Sequence, residues 1–220
     1  MTYIEQGIKY MQDENYEMAV KAFNDAIEAE PDNPVGYINF GHVLAHLNED
    51  VRAKDFYEKA LELDPKAATA YYGLGNLLFE KAQYKQAIRQ YTEAIDLGLT
   101  EADVYFMIGF SHLKRDDFKL ALPFLMHASE LSPNDRDIAM QYGLALAELS
   151  QLDEAYRVFD GVYKSHPTHA DALYNRALCD LFLERTDEAI KDLNCVLDLD
   201  PEHTLAQGTL MQIEQILDQQ

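Results

Sequence analysis

Three kinds of residue recur along this chain at a fixed interval of 34, and that period restricts its fold more than any other feature. Proline holds one phase at Pro31, Pro65, Pro133, Pro167 and Pro201, with Leu99 in the missing place. Gly or Ala holds a second, at Gly7, Gly41, Gly75, Gly109, Gly143 and Ala177. Ala holds a third, at Ala19, Ala53, Ala87, Ala121, Ala155 and Ala189. No insertion or deletion interrupts them, so the chain reads as one unit copied six times. In the most regular copy, Pro34 to Pro65, Tyr37, Phe40, Gly41 and Leu44 share one face of a helical pattern. Ala53, Tyr57 and Ala60 share one face of a second. Each unit is a pair of helices.

The phases have a physical reason. Gly or Ala on the first helix, and Ala on the second, let the two backbones of a unit approach closely. Large residues at a fourth phase, Phe23, Tyr57, Tyr91, Leu125, Phe159 and Leu193, then fill the space beside those contacts. The proline ends each second helix, because it blocks continuation and drives its predecessor out of α geometry. First helices are expected near 2–13, 34–47, 68–81, 102–115, 136–149 and 170–183, and second helices near 16–29, 50–63, 84–97, 118–131, 152–165 and 186–199. A last helix, about 204–218, is expected to start at Thr204 as N-cap. It turns Ala206, Leu210, Ile213 and Leu217 inward and Gln207, Glu214, Gln215 and Asp218 to water, the polar-backed cap a stack of repeats needs. No comparable element is expected to cover the N-terminal end.

Some units depart from the pattern. The third has Gly98, a helix C-cap signal, where others have proline, and the fourth carries Pro123 inside its second helix. The 95–125 stretch is either a weak point or a place where packing absorbs both. In the sixth, Arg176 and Asp180 stand i,i+4 at phases that are apolar in the second, and they are expected to pair.

With only 10 Gly and 7 Pro in 220 residues, and no sustained strand-like alternation, the class is all-α. The 39 acidic residues against 18 basic give a formal net charge of -21. Nucleic acid and anionic membrane surfaces both draw on Lys/Arg contacts, so neither is an expected partner. The excess either favours a cationic partner or serves solubility alone. Cys179 and Cys195 lack CxxC spacing and read as two small reduced side chains. The N-terminus enters the helical pattern at once, and no apolar run is long enough to span a bilayer, so a cytoplasmic location is expected.

The spacing aromatic-x2-apolar-Gly-x2-large, then Ala-x3-aromatic, then Pro, met in full by Tyr37, Phe40, Gly41, Leu44, Ala53, Tyr57, Ala60 and Pro65, resembles the tetratricopeptide repeat (TPR). The resemblance covers residues 1–203, and among relatives the chain is most similar to small stand-alone bacterial TPR proteins. It implies one domain over 1–220: a right-handed superhelical solenoid of six helix-turn-helix units plus a C-terminal capping helix. The units run about 1–33, 34–67, 68–101, 102–135, 136–169 and 170–203, with the cap over 204–218. First helices would line a concave groove, and the expected function is that of a non-catalytic protein- or peptide-binding scaffold or adaptor.

In the family, groove positions are those on the first helix that the packing pattern leaves free. Here they include Ile38, His42 and His46, then Tyr72, Asn76 and Phe79, then Asp103, Phe106 and Phe110. Asp137, Met140, Asp171 and Tyr174 complete the expected site, with Leu144, Glu148, Leu178 and Phe182 beside them. The face is more apolar than a solvated helix face, and its rings either form an exposed binding patch or pack into the next repeat. Asp103, Asp137 and Asp171 recur at one phase and read both as an acidic edge and as helix-start carboxylates. The expected ligand is a peptide segment with apolar anchors and some basic residues. Relatives that hold a chaperone's free C-terminus use a Lys/Asn clamp across three first helices, and no set of successive units here supplies its basic residues. His42 and His46 have a spacing that can hold zinc, but H-V-L-A-H lacks a metalloprotease glutamate, so metal binding is a remote alternative and no cofactor is expected. No phosphate loop or nucleophile elbow appears. A structural alternative is self-association through the first unit, where Tyr3, Ile4, Ile8 and Met11 are apolar.

Overall fold

The computed structural model describes residues 1–218, which form thirteen α-helices and no strand. They are α1 (Tyr3–Gln12), α2 (Tyr16–Ala29), α3 (Pro34–His46), α4 (Asp50–Leu63), α5 (Ala68–Glu80), α6 (Tyr84–Asp96), α7 (Ala102–Leu113), α8 (Phe118–Leu131), α9 (Arg136–Glu148), α10 (Leu152–Ser165), α11 (Ala170–Phe182), α12 (Thr186–Leu199) and α13 (Thr204–Leu217). The fold is an all-α helical repeat. Two compact units divide it, Met1–Arg115 and Asp116–Gln220, with the boundary in the turn after α7, inside the 95–125 stretch.

In the first unit α1 packs on α2, α3 on α4, and α5 on α6, with α7 following. Thr2 and Glu5 make a reciprocal capping box on α1, and Asn15 and Asn33 cap α2 and α3. The small-residue phase acts through rings. A Cβ on Gly7 would lie 2.3 Å from Phe23, and one on Gly75 2.4 Å from Tyr91. Tyr57, 1% exposed, lies between Gly41 and Gly73, so one ring fixes α4 against both α3 and α5. Burial pushes the Tyr57 and Tyr91 phenols up, and both stay neutral. The proline turns are tied down by tyrosine: the Tyr37 hydroxyl donates to the Pro31 carbonyl at 3.0 Å and that of Tyr71 to Pro65 at 3.5 Å. Gly98, at φ 103°, closes α6 with paired bonds from Gly98 N to Ile95 O and Leu99 N to Ala94 O, a Schellman end.

A further periodic feature was not visible in residue identities. Glu14, Asn48, Ala82, Asp116, Ser150 and Glu184, spaced by 34, all have φ between 55° and 61°. Each follows a first helix and turns the chain toward the second. At Glu14 the paired closing bonds run from Glu14 N to Met11 O and from Asn15 N to Tyr10 O. Only the backbone conformation repeats; the side chains do not.

In the second unit α9 packs on α10 and α11 on α12, with α8 before them and α13 after. Pro123 sits inside α8, which nevertheless runs unbroken from Phe118 to Leu131. Gly143 lies under the fully buried Phe159. The sixth repeat corrects an expectation: Arg176 does not pair with Asp180. Its guanidinium reaches sideways, bidentate to Asp192 at 2.7 and 2.8 Å and to Asp160 at 2.6 Å, because these flank it from neighbouring helices. Tyr163 lies under it at 5.1 Å. Burial opposes ionisation of Asp160, but hydrogen bonds from Lys164 and Arg176 outweigh it and hold the carboxyl below its ordinary range. Asp180 turns instead to Arg185 at 3.4 Å, and its burial pushes the carboxyl up. Cys179 and Cys195 are both free, and burial pushes the Cys179 thiol up to about 11.

The last helix also differs in detail. Its N-cap is His203, whose Nδ1 accepts from Ala206 N at 3.2 Å; Thr204 is the first helical residue. Ala206 and Ile213 are buried and Leu210 half-buried, but Leu217 is 51% exposed, since the stripe outruns the α12 surface it covers. No described helix is long and apolar enough to cross a membrane.

Candidate functional site

The first unit concentrates its chemistry on the faces of α3, α5 and α7 that the core leaves free. From α5 come Tyr72, Asn76 and Phe79; from α7 come Asp103, Phe106 and Phe110. Phe110 is the centre, stacked on Phe79 and on Phe106, each at 5.4 Å between centroids. Such pairs contribute about 0.5–1.5 kcal/mol each beyond area burial. Phe79 also meets Tyr84 edge-on at 5.2 Å, and the Lys114 ammonium lies 4.8 Å over the Phe110 ring. All three phenylalanines are half-buried. They pack on one another and still present area to solvent, so both readings of these rings hold in part.

A polar strip runs beside the rings. The Tyr72 hydroxyl donates to Asp103, linking α5 to α7, while the buried Tyr91 hydroxyl donates to Asn76 Oδ1 at 2.8 Å. Burial first, and the bond to Asp103 second, push the Tyr72 phenol up, so it remains a donor at neutral pH. Asp103 is exposed at the second position of α7, and the cap position belongs to Glu101.

Two expected groove residues belong elsewhere. Ile38 is 7% and Met140 8% exposed, and both lie in hydrophobic core, because their side chains point toward the adjoining helix and not outward. The two histidines are ring-packed: His42 sits 5.4 Å from Tyr57 and His46 4.4 Å from Tyr16. Burial pushes the His42 imidazole down. No group of three or more His, Cys, Asp or Glu placed to hold a metal occurs among the described residues.

The second unit has a smaller face on α9 and α11. Leu144, Glu148, Leu178 and Phe182 line a cavity of about 280 Å³, with Phe182 73% exposed. Tyr174 packs 5.0 Å from His203, and its hydroxyl lies 3.4 Å from Thr209 Oγ1. Asp137 and Asp171 are exposed at the second positions of α9 and α11; Arg136 Nε reaches Asp137 at 3.3 Å, and His203 Nε2 stands 3.5 Å from Asp171. The caps themselves are Asp135 and His169. A larger cavity, of about 630 Å³, lies between α8, α9 and α10, and sequence reasoning missed it. Its signal was present as small residues at otherwise large phases.

The tetratricopeptide repeat family model matches residues 2–33, 36–67 and 102–135, a second model of that description matches 140–204, and a TPR repeat model matches 55–81. Among solved structures, YrrB, described as a TPR protein with an unusual peptide-binding site, is 40% identical over 88% of this chain and 100% of its own, with a TM-score of 0.83. PilF of Pseudomonas aeruginosa is 22% identical over 96% of each chain, with a TM-score of 0.81. The pilus biogenesis factor PilW is 17% identical over 94% of this chain and 96% of its own, with a TM-score of 0.76. The last two show shared fold alone. No curated protein sequence matches the chain.

Proposed function

The chain belongs to the tetratricopeptide repeat family, and on that premise we propose that it is a non-catalytic, cytoplasmic protein- or peptide-binding scaffold. The observation that carries the reading is the half-exposed Phe79–Phe110–Phe106 stack bordered by Asp103. Aromatic groups held rigidly in place lose little entropy on binding and make good anchors. The ligand is a segment with apolar side chains for the stack and a basic residue for Asp103, with the acidic surface raising its on-rate. YrrB, with its peptide-binding site, supports the class of ligand. The test is selection from a random peptide library with the wild-type protein. Selected peptides should pair an apolar residue with Lys or Arg, and Phe106→Ala should weaken them by more than about tenfold. Peptides that bind Phe106→Ala and Phe110→Ala as well as wild type would sink the proposal.

One observation favours a second reading, self-association through α1: Tyr3 and Ile8 are 47% and 41% exposed. Light scattering over a dilution series separates the two, since a monomer at every concentration removes self-association.

A further inference from the structure

Ser129 of the fourth repeat and Ala139 of the fifth are small at two phases that the other repeats keep large. Tyr37, Tyr71 and Tyr105 correspond to Ala139, and Ile27, Leu61 and Ile95 to Ser129; the Val158 phase varies, with Phe56 and Phe124 in the second and fourth repeats and Ala22 in the first. Ser129, Ala139 and Val158 line one cavity, the space of about 630 Å³ between α8, α9 and α10. That volume lies within the usual range for ligand pockets, roughly 300–1,000 Å³.

The second repeat shows what fills this space elsewhere. The Tyr37 ring packs 6.1 Å from Phe56, and its hydroxyl donates to the Pro31 carbonyl at 3.0 Å. Tyr71 makes the same bond to Pro65, and even Gln207, at this phase in α13, donates from Nε2 to the Pro201 carbonyl at 2.7 Å. Pro133, the equivalent proline, lines the cavity, and Ala139 has no side-chain donor for its carbonyl. His166, also on the lining, has a buried Nδ1 with no hydrogen-bond partner among the described residues. Gly161 keeps the mouth open, since a Cβ there would meet nothing within 4 Å.

We propose that this cavity binds a tyrosine side chain presented by a peptide segment of a partner protein. The incoming ring takes the place that Tyr37 and Tyr71 occupy in their own repeats, and its hydroxyl donates to the Pro133 carbonyl. Arg136 and Arg157 stand at the rim, their side chains 46% and 74% exposed. Arg136 holds Asp137 through Nε at 3.3 Å, and Arg157 reaches Glu154 only at 4.0 Å, so both keep donors for the carbonyls of a bound segment. Their guanidinium planes also suit stacking on a ring. This site shares no residue with the Phe79–Phe110–Phe106 face and stands or falls independently of it.

The experiment titrates the full chain with three blocked pentapeptides, Ala-Ser-X-Ser-Ala with X as Tyr, Phe or Ala, followed by amide chemical shifts. The tyrosine peptide should perturb Ala139 and Gly161, the phenylalanine peptide should bind about fivefold more weakly for want of the hydroxyl bond, and the alanine peptide should not bind. Ala139→Tyr, which copies the second and third repeats, should raise the unfolding midpoint and abolish binding, and Ser129→Ile should weaken it independently. Equal titration by the tyrosine and alanine peptides, shifts centred elsewhere, or unchanged binding by both filled variants would overturn the assignment. A wild-type dimer that Ala139→Tyr dissolves would make a second copy the occupant and overturn the partner peptide.

Discussion

Gly143 and Gly161 belong to the same repeat, on α9 and α10, and the structure separates what alanine would do at each. Either change gains about 1 kcal/mol of helix propensity. At Gly161 nothing lies within 4 Å of the added Cβ, so that gain should appear in full. At Gly143 the Cβ would come within 2.6 Å of Phe159 Cε1 and 2.8 Å of Cζ. Carbon atoms prefer about 3.5–4.0 Å, and Phe159 has no solvent to retreat into. Overpacking of this kind costs about 1–3 kcal/mol. Because propensity cancels between the two variants, their difference isolates the clash, and Gly143→Ala should be less stable than Gly161→Ala by about 1–3 kcal/mol. The sixth repeat carries its own remedy, Ala177 with Leu193 at the corresponding phases. Gly143→Ala with Phe159→Leu copies that pair and should recover more than about 1 kcal/mol of the sum of the single effects. Urea unfolding read by circular dichroism and tyrosine fluorescence gives all four corners of the cycle. If Gly143→Ala stabilises as much as Gly161→Ala, or the cycle shows no coupling, close approach is not why glycine holds this phase.

Ala82→Gly relieves a left-handed backbone at φ 56° and should stabilise by about 0.5–1 kcal/mol in urea unfolding, the reverse of a glycine placed inside a helix. Arg176→Met strands the partly buried Asp160 and Asp192 and should destabilise by about 3 kcal/mol, whereas Arg176→Tyr with Asp192→Val, the residues of the fifth repeat at those phases, should recover most of it. His42 is held below its ordinary pKa by burial, so the unfolded chain takes up its proton first as pH falls through about 6.5. Stability at this site is therefore kept above that pH and lost below it, and His42→Gln should lose less than wild type between pH 7 and 5 in thermal melts.

What was legible in the sequence depended on whether physics acts there through side-chain identity. The small phases, the proline ruler and the buried ring phase all select residue types, so Gly41, Ala53 and Tyr57 announce themselves and the helices follow. The six left-handed turn residues select only a backbone conformation, which glutamate, asparagine, alanine, aspartate and serine all adopt here at some cost, and only glutamate occurs twice. The candidate site was legible in outline because free first-helix phases are defined by exclusion. Exclusion fails where a phase faces an adjoining helix, as at Ile38 and Met140, and pairing fails where the partner lies on another helix, as for Arg176 with Asp160 and Asp192.

In a chain of copies each repeat is a variant of its neighbours, and this changes what a substitution means. Replacing tyrosine with alanine in a packed core ordinarily leaves a cavity and costs several kcal/mol. The fifth repeat carries that replacement at Ala139, and Ser129 at the end of the fourth repeat adds a second loss of volume on the same cavity, beside Val158. Collapse of the neighbouring helices would have been the ordinary repair, yet the helix pair α9 and α10 keeps the packing of its neighbours, with Gly143 under Phe159 as Gly75 is under Tyr91. The space is held open by the same contacts that build the repeat. Two coordinated losses of volume around one opening, Ser129 and Ala139, with the rest of the fifth repeat intact, are what a pocket for an incoming ring requires. A frame that holds without the ring is also what makes Ala139→Tyr a stabilising change, and a stabilising change that removes binding separates site from scaffold.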